Sequence, residues 1–547
     1  MFLNFSLYAE ERINELVYVH LDKDCYIAGE DIWVKFCVVD QYFQASSLSK
    51  VGYVEICDVQ KPYIQKKLAL INGQGTGKIS IPATIPSGIY ELTGYTRYMK
   101  NRDIAFRREI AIVNMFEMAN QDRIDFIETV SEIKSREKET SLMDLSTDKP
   151  LYTNREKVTV SIDATTEIDN LVISVSRNDT IEMLNPLNKA NWQEQLQSSS
   201  SLLSEIQWAP EYEGHILEGQ ITGSGSEIKR EINYDLLSAD MGIVGRDIGY
   251  TKGQIDSQSG RASFYTSKIY GIQDMVTSVN SLDDTSYRID IQSPYSGKVA
   301  ESLSQLCVQK EDSSLMERYI GVQLRQIMFE DSLGHRVPIE NYYALPIHVT
   351  YDLDEYTRFD SMDETFVEFV KRIIVRRVDG ERRLKVLMEG KGFKFNAGNT
   401  LVLLDGVPLH NHEQLLSYNP HAIKYIYIYG GKYVFGGDVF DCMVSFVTYR
   451  RNLSHIQLPA NYQLISYDFP ELPEYFETPS YETEENKTSR KPDFRHTLYW
   501  EPSFKLDNNI STVSFYTSDL KGEFKIVAEG ITKEGKIIRG VSFFEVK

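Results

Sequence analysis

The sequence predicts a mainly β chain, with tandem antiparallel β-sandwich domains and one small α/β unit. Three observations predict it. Tyrosine and phenylalanine number 34 and 25 against 4 tryptophans, and flat side chains of that kind pack well on half-buried pleated strands. A segment with alternating apolar residues occurs twice, which marks a duplicated domain. After about Ile347 the pattern changes to a capped helix followed by short apolar strands, which marks a unit of another class. At 547 residues the chain exceeds a single core, and about three to five domains are expected.

Charge narrows the function. The net charge is −20, a surface that repels phosphate backbones, so no nucleic-acid partner is expected. The longest basic run goes from Lys371-Arg372 through Arg376-Arg377 to Arg382-Arg383. It is interrupted by Ile373, Ile374, Val375 and Val378 and reads as a strand with one wet face. The cysteines, Cys25, Cys37, Cys57, Cys307 and Cys442, show neither a CxxC nor a Cys/His zinc spacing. Whether Cys25, Cys37 or Cys57 share a disulfide stays open from the sequence. The opening Met1 to Ala9 is an apolar run ending in alanine, with no basic residue before it and a large Leu7 near the end. Residues 1–14 resemble the remnant of a truncated secretory signal, from which export is expected, with a chance apolar run as the alternative. No apolar run reaches about 18 residues, so no transmembrane helix is expected.

The duplicated segment is Asp22-Lys23-Asp24-Cys25-Tyr26-Ile27-Ala28-Gly29-Glu30-Asp31-Ile32-Trp33-Val34. It returns as Asp148-Lys149-Pro150-Leu151-Tyr152-Thr153-Asn154-Arg155-Glu156-Lys157-Val158-Thr159-Val160. Each copy reads as a short strand, a turn and an alternating strand. The pattern resembles the opening of macroglobulin-type domains, antiparallel sandwiches of about seven strands. In the first copy Gly73 to Gly77 reads as a turn and Ile79 to Ile81 as a strand. The Gly73 to Lys78 run fails as a phosphate loop at Asn72 and Ile79. The run Ile85-Pro86-Ser87-Gly88-Ile89-Tyr90-Glu91-Leu92 is similar to the corner of the Bacteroidota version of the fold, where tyrosine and glutamate fix the turn. The resemblance places macroglobulin-like sandwiches at 15–116 and 141–210, with a linker at 117–140.

A third sandwich is expected at 211–300. Leu217 to Gly223, Gly260 to Phe264 and Tyr270 to Asp274 resemble the carboxypeptidase regulatory-like domain, or a further macroglobulin-like one. The polar Gln197 to Ser201 reads as a loop or short helix. Residues 301–345 form a helical connector, helical over Met316 to Phe329.

The α/β unit is expected at 346–450. Ser361-Met362-Asp363-Glu364 has the form of a capping box. It starts a helix with Phe366, Val367, Phe369, Val370 and Ile373 near one face, followed by a strand from Ile374 to Val378 and a turn at Asp379-Gly380. Leu401 to Leu409, a short helix Glu413 to Tyr418, Ile423 to Ile428 and Val444 to Thr448 complete it. This order resembles the plug of TonB-dependent receptors, although Phe435 to Cys442 departs from the family's last approach. Only residues 451–547 follow, too few for a receptor barrel of about 22 strands. Residues 451–490 read as a linker, exposed and polar from Leu472 to Lys491. Residues 491–547, with Thr497-Leu498-Tyr499-Trp500-Glu501-Pro502 and Val513 to Ile526, resemble a macroglobulin-like segment that forms a sandwich or completes an earlier one.

Little points to chemistry. His410-Asn411-His412-Glu413 contains the H-x-x-E spacing of zinc carboxypeptidases, but a catalytic zinc needs three ligands and a base on one scaffold. A zinc hydrolase using His410 and Glu413 is the remote alternative. Asp22, Glu30, Asp148 and Glu156 could suggest calcium, but repeated carboxylates more often cap turns or pair with Lys23 and Lys149. The C-x-E-Q thioester motif of protease-trapping macroglobulins is missing, as is a G-x-S-x-G elbow. No catalytic, metal or cofactor residue is therefore assigned. The expected function is a non-enzymatic interaction or scaffold protein of the periplasm or outer membrane, with an envelope protein as partner. The alternative is an accessory protein capturing glycan or peptide for a separate receptor.

Overall fold

The computed structural model describes residues 14–115, 124–127, 143–165, 168–178, 181–184, 195, 206–223, 232–281, 287–309, 313–329, 334–336, 345–378, 380–388, 394–454, 456–506 and 510–547. The signal-like Met1 to Ala9, the Gln197 to Ser201 stretch and most of the 117–140 linker lie outside them. The chain is mainly β, and it divides into two compact units. The first holds Met1–Tyr212, Tyr295–Pro338 and Pro470–Lys547, the second Glu213–Pro294 and Ile339–Phe469.

The first unit contains two sandwiches, each opened by one copy of the duplicated segment. In the first, Leu16–Leu21, Asp31–Val39 and Gln74–Ser80 form one sheet, and Cys25–Ile27, Phe106–Val113, Gly88–Tyr95, Val51–Cys57 and Pro62–Ala69 form the other. Inward residues of both, among them Phe36, Tyr53, Ile79, Tyr90 and Phe106, make one core. The run Gly73 to Gly77 is not all turn. Gly73 turns, at φ 71°, but Gly75 and Gly77 sit inside the strand opposite Phe36 and Val34. A Cβ at either would come within 2.9 Å of a Leu70 or Leu68 methyl, so glycine is what lets the layers close. Tyr90 donates its hydroxyl to the Pro86 carbonyl at 2.6 Å, which fixes the corner.

The second sandwich takes Met143–Thr147, Lys157–Ala164 and Ile510–Tyr516 in one sheet. Leu151–Tyr152, Ile537–Val546, Gly522–Thr532, Ile168–Arg177 and Thr497–Phe504 make the other. The segments 141–210 and 491–547 thus supply two parts of one sandwich around Tyr152, Val160, Ile173, Phe524 and Phe544. Both copies share an unusual feature. The short strand after Asp-Lys runs parallel to the closing strand, Cys25–Ile27 against Ala111–Val113 and Leu151–Tyr152 against Glu545–Val546. The duplication is therefore topological as well as local.

Two stretches expected as connectors carry strands. Ile124–Ile127, inside 117–140, pairs parallel with Gln305–Gln309, which also pairs with Glu182–Leu184. The 301–345 stretch holds that strand as well as the helix Ser313–Phe329.

In the second unit, Gln254–Ile255, Arg261–Tyr265, Ile216–Gly223 and Tyr287–Ile291 face Tyr250–Lys252, Leu237–Ile243, Ile272–Ser281 and Tyr462–Asp468. Met241, Phe264, Val279, Ile289 and Phe469 fill the space between them. Its last strand, Tyr462–Asp468, comes from the 451–490 stretch expected as a linker. A single-sided strand of alternating polar and apolar residues is easily mistaken for a loop when its partner, Ile272–Ser281, is remote in sequence.

The α/β part has a five-stranded mixed sheet: Val349–Asp352, Ile423–Phe435, Asp438–Thr448, Thr400–Leu404 and Val407–Pro408. Ser361 caps its first helix by accepting from the Glu364 N–H, but that helix is only Met362–Glu368. Phe369 ends it, Val367 is 73% exposed, and Ile373 already begins the strand Ile373–Val378. The second helix is one turn, Glu413–Leu416. Asp405 and Gly406, at φ 47° and 88°, make the two-residue hairpin turn that an Asp-Gly pair favours.

Candidate functional site

The carboxylates of the duplicated segment are structural in both copies. Asp22 accepts from the Tyr26 hydroxyl at 2.9 Å and the Trp33 N–H at 3.0 Å. Asp148 accepts from Tyr152 at 2.8 Å and the Thr159 N–H at 2.7 Å in the same way. Glu30 and Glu156 close the following turn by accepting from the N–H of Ile27 and Thr153. Among the described residues no group of three His, Cys, Asp or Glu side chains is placed to hold a metal ion.

The copies diverge in what else the glutamate holds. Glu156 pairs with the exposed Lys149. Glu30 is buried against Arg318, a residue of the helix Ser313–Phe329, through Nε and Nη2 bonds of 2.7 and 2.6 Å. Burial pushes the Glu30 carboxyl upward, but Arg318 and Lys23 outweigh it and hold it well below the ordinary range.

Beside this pair lies a cavity of about 370 Å³ between the helix and the chain from Glu477 to Arg495. Gly321, Leu324, Tyr481, Asn486 and Phe494 contribute to its wall. One residue shapes that loop. Arg155 donates to the carbonyls of Asn486, Lys487, Ser489 and Lys491 and makes two bonds to Asp519. The stretch read as an exposed linker is therefore tied down, with Tyr481 buried and donating to Asp493 at 2.8 Å. Sequence reasoning missed Arg155 and Arg318, because their partners lie hundreds of residues away.

His410, His412 and Glu413 do not converge. His412 is buried, and its Nδ1 accepts from the Leu384 N–H at 2.9 Å. His410 Nε2 stands 3.1 Å from the buried Asp240. Glu413 faces Arg382 at 3.1 Å. Asp240 also accepts from Tyr250 at 2.6 Å and Asn280 at 2.8 Å. Burial raises the Asp240 carboxyl, yet His410, Lys252 and the Tyr250 hydroxyl bring it down to about 2. The cysteines are all free thiols, Cys25, Cys37 and Cys57 included. Burial, with Glu91 nearby, pushes Cys57 up to about 11, away from nucleophilic use.

Two buried histidines imply an acid response. Burial lowers His20 to about 4, only partly offset by Glu529, and burial with the Arg383 charge lowers His412 to about 3. Both rings are neutral in the native state, whereas the unfolded chain binds their protons near pH 6.5. Their stability contribution is complete above that pH and is lost as pH falls towards 4. A tenfold drop in proton affinity on folding corresponds to about 1.4 kcal/mol, so the loss comes to a few kcal/mol per ring. Denaturation midpoints measured between pH 7 and 4.5 should fall, and His20→Gln should flatten part of the slope. A midpoint constant over this window would sink the assignment.

One further feature lies in the second unit. Among the described residues, the strand Ile373–Val378 pairs on one side only, with Glu381–Met388. A groove of about 570 Å³ runs beside it, walled on the other side by the helix Met362–Glu368. Among the described residues no helix is long and apolar enough to cross a membrane.

No family model and no curated protein matches this chain. Among solved structures, Salmonella α2-macroglobulin reacted with methylamine aligns over 97% of this chain and 39% of its own, at 8% identity and a TM-score of 0.25. The native conformation of the Escherichia coli α2-macroglobulin aligns over 97% and 40%, at 9% identity and a TM-score of 0.23. The D0-D1 domain of intimin covers 54% of this chain and 96% of its own length, at 12% identity and a TM-score of 0.15. The chain thus spans about two fifths of the length of these macroglobulins. With TM-scores this low, the fold is read from the sheets themselves.

Proposed function

We propose that this chain is a non-enzymatic interaction or scaffold module of the cell envelope, its first two sandwiches of macroglobulin type and its α/β part a plug-like docking unit. One observation carries the reading. Asp22 and Asp148 hold their tyrosine hydroxyls and His412 holds the Leu384 N–H, while strand edges are left open among the described residues. Open edges accept extended segments of other proteins through backbone hydrogen bonds. The duplicated Asp-Lys-Tyr-Glu frame supports the macroglobulin-type assignment, and the signal-like opening supports a periplasmic or outer-membrane location, as expected of a Bacteroidota envelope protein.

Crosslinking in intact cells, followed by mass spectrometry, tests it. The expected result is one reproducible periplasmic or outer-membrane partner, with crosslinks to defined faces of the chain. Hydrolase activity in the purified protein that disappears in Glu413→Ala would overturn the non-enzymatic reading, and a partner set confined to the cytoplasm would overturn the location. A second reading, capture of a small glycan or peptide for a separate receptor, is favoured by the Tyr481 and Phe494 cavity with its amide and hydroxyl neighbours. Thermal stabilisation by a member of a glycan array, lost in Tyr481→Ala, would select it.

A further inference from the structure

We propose that the open edge of the strand Ile373–Val378 binds an extended acidic peptide segment of a partner protein by strand addition. The proposal rests on the interaction-module reading and names the site and the chemistry of the partner.

The backbone sets which groups are available. Arg372 and Leu387 form a hydrogen-bonded pair, since the Leu387 N–H donates to the Arg372 carbonyl at 2.8 Å. In an antiparallel ladder such pairs alternate with non-bonded ones. Ile374, Arg376 and Val378 therefore turn their N–H and C=O towards the partner strand. Val375 and Arg377 turn theirs to the open side. The partner strand agrees. Leu384, opposite Val375, donates its N–H away to His412 at 2.9 Å, and Val386, opposite Ile373, donates to the Asn396 side chain at 2.7 Å. No described strand pairs with the open side.

The groove beside that edge supplies the rest of a recognition surface. Its floor is apolar, with Phe366, Ile373 and Val375, and the exposed Val367 lies on its rim. Lys371, Arg376 and Arg377 line it, and no ion pair involves any of the three among the described residues. Arg376 lies over the Phe395 ring, 5.2 Å from its centroid. The one acidic residue on the groove, Asp363, is already bonded to Arg382 at 2.5 Å. A basic groove on a chain of net charge −20 is a local inversion of its field.

Charge decides the occupant. Edge strands carry like charges to repel copies of themselves, and apposing Arg376 and Arg377 with a second copy would stack cations. The charge on Arg376 admits a strand whose alternate residues, on that face, are Asp or Glu, while Arg377 shares the other face with Val375. Apolar residues between them would meet Val375 and Phe366, in the period-2 alternation that strand addition requires.

The test uses the full chain and a synthetic peptide of about nine residues alternating Glu with Val, beside a Lys-for-Glu control. Expected are binding by the acidic peptide alone, weakening as salt rises from about 50 to about 300 mM, and a loss of about tenfold or more in Arg376→Glu/Arg377→Glu. Amide exchange should slow at Val375 and Arg377 on binding, while Ile374 and Arg376, already bonded, should not change. Both arginines are exposed, so the double variant keeps its fold, and exchange across the remaining sheets verifies this. Equal binding by the reversed variant, protection elsewhere, or no binding overturns the proposal. So does self-association through this edge, or preference for anionic vesicles over the peptide. A reproducible envelope crosslink alongside a silent groove would overturn the groove and leave the scaffold reading intact.

Discussion

Replacing Arg318 by Met is expected to destabilise the first unit by about 3–5 kcal/mol, because it leaves a buried carboxylate without its cation. The Glu30–Arg318 side chains are 4% and 2% exposed. Two guanidinium bonds to Glu30 and one to the Cys25 carbonyl are lost together. Lys23, at 3.5 Å, compensates only in part. The double variant Glu30→Gln/Arg318→Met removes the stranded charge and should recover much of the loss. The second copy supplies an internal control, since Glu156→Gln loses an exposed ion pair with Lys149, keeps an amide oxygen to accept from the Thr153 N–H, and should scarcely move the midpoint. Hydrogen exchange over Ser313–Phe329 reads the effect directly. If the helix keeps its protection in Arg318→Met, the pair is not what fastens it.

The same pair shows what the sequence could and could not disclose. Both copies of Asp-Lys-x-x-Tyr are visible as a pattern, and the parts they play at the turn follow from residue type. The Tyr hydroxyl needs an acceptor, and the Asp four residues earlier is within reach. That Glu30 serves a remote helix is invisible, because nothing local distinguishes it from Glu156. The distinction lies in Arg318, a residue of a helix whose place the sequence left unassigned. The closing of the second sandwich was legible only as an alternative, since its strands Ile168–Arg177 and Gly522–Thr532 are separated by most of the chain. Pairing at such distance is set by the core that both strands share, and no short window carries it. The basic run from Lys371 to Arg383 reads in sequence as one strand with a wet face, but it is a hairpin of Ile373–Val378 and Glu381–Met388 in which Arg376, Arg377 and Val378 are all exposed. Its open edge was not legible, because an edge is defined by a neighbour that the sequence does not name. For the H-x-x-E motif, spacing alone was misleading. His412 is consumed by the Leu384 N–H and His410 faces Asp240, so the two rings serve different neighbours.

Asp405→Ala is expected to be comparably costly in the second unit, at about 3–5 kcal/mol, by a different route. The Asp405 carboxylate is 1% exposed. It accepts from the Thr448 N–H at 2.7 Å, the Thr448 hydroxyl at 2.6 Å and the Leu453 N–H at 2.9 Å. Alanine would strand three buried donors, each costing about 1–3 kcal/mol when left unmade. It would also place a residue with little tolerance for left-handed geometry at φ 47°. Asn in the same place keeps the turn and an acceptor oxygen, so Asp405→Asn should lose noticeably less. The next position allows no such substitute. Gly406 stands at φ 88°, and a Cβ there would lie 2.5 Å from the Ile243 carbonyl. Exchange rates of the Thr448 and Leu453 amides separate the two effects. A general fall in stability would speed exchange throughout the sheet, whereas loss of the carboxylate speeds these two amides first. Slow exchange at both in Asp405→Ala would mean that the Asp-Gly turn holds by backbone geometry alone, and the carboxylate would then have no structural part in the strand pair Thr400–Leu404 and Asp438–Thr448.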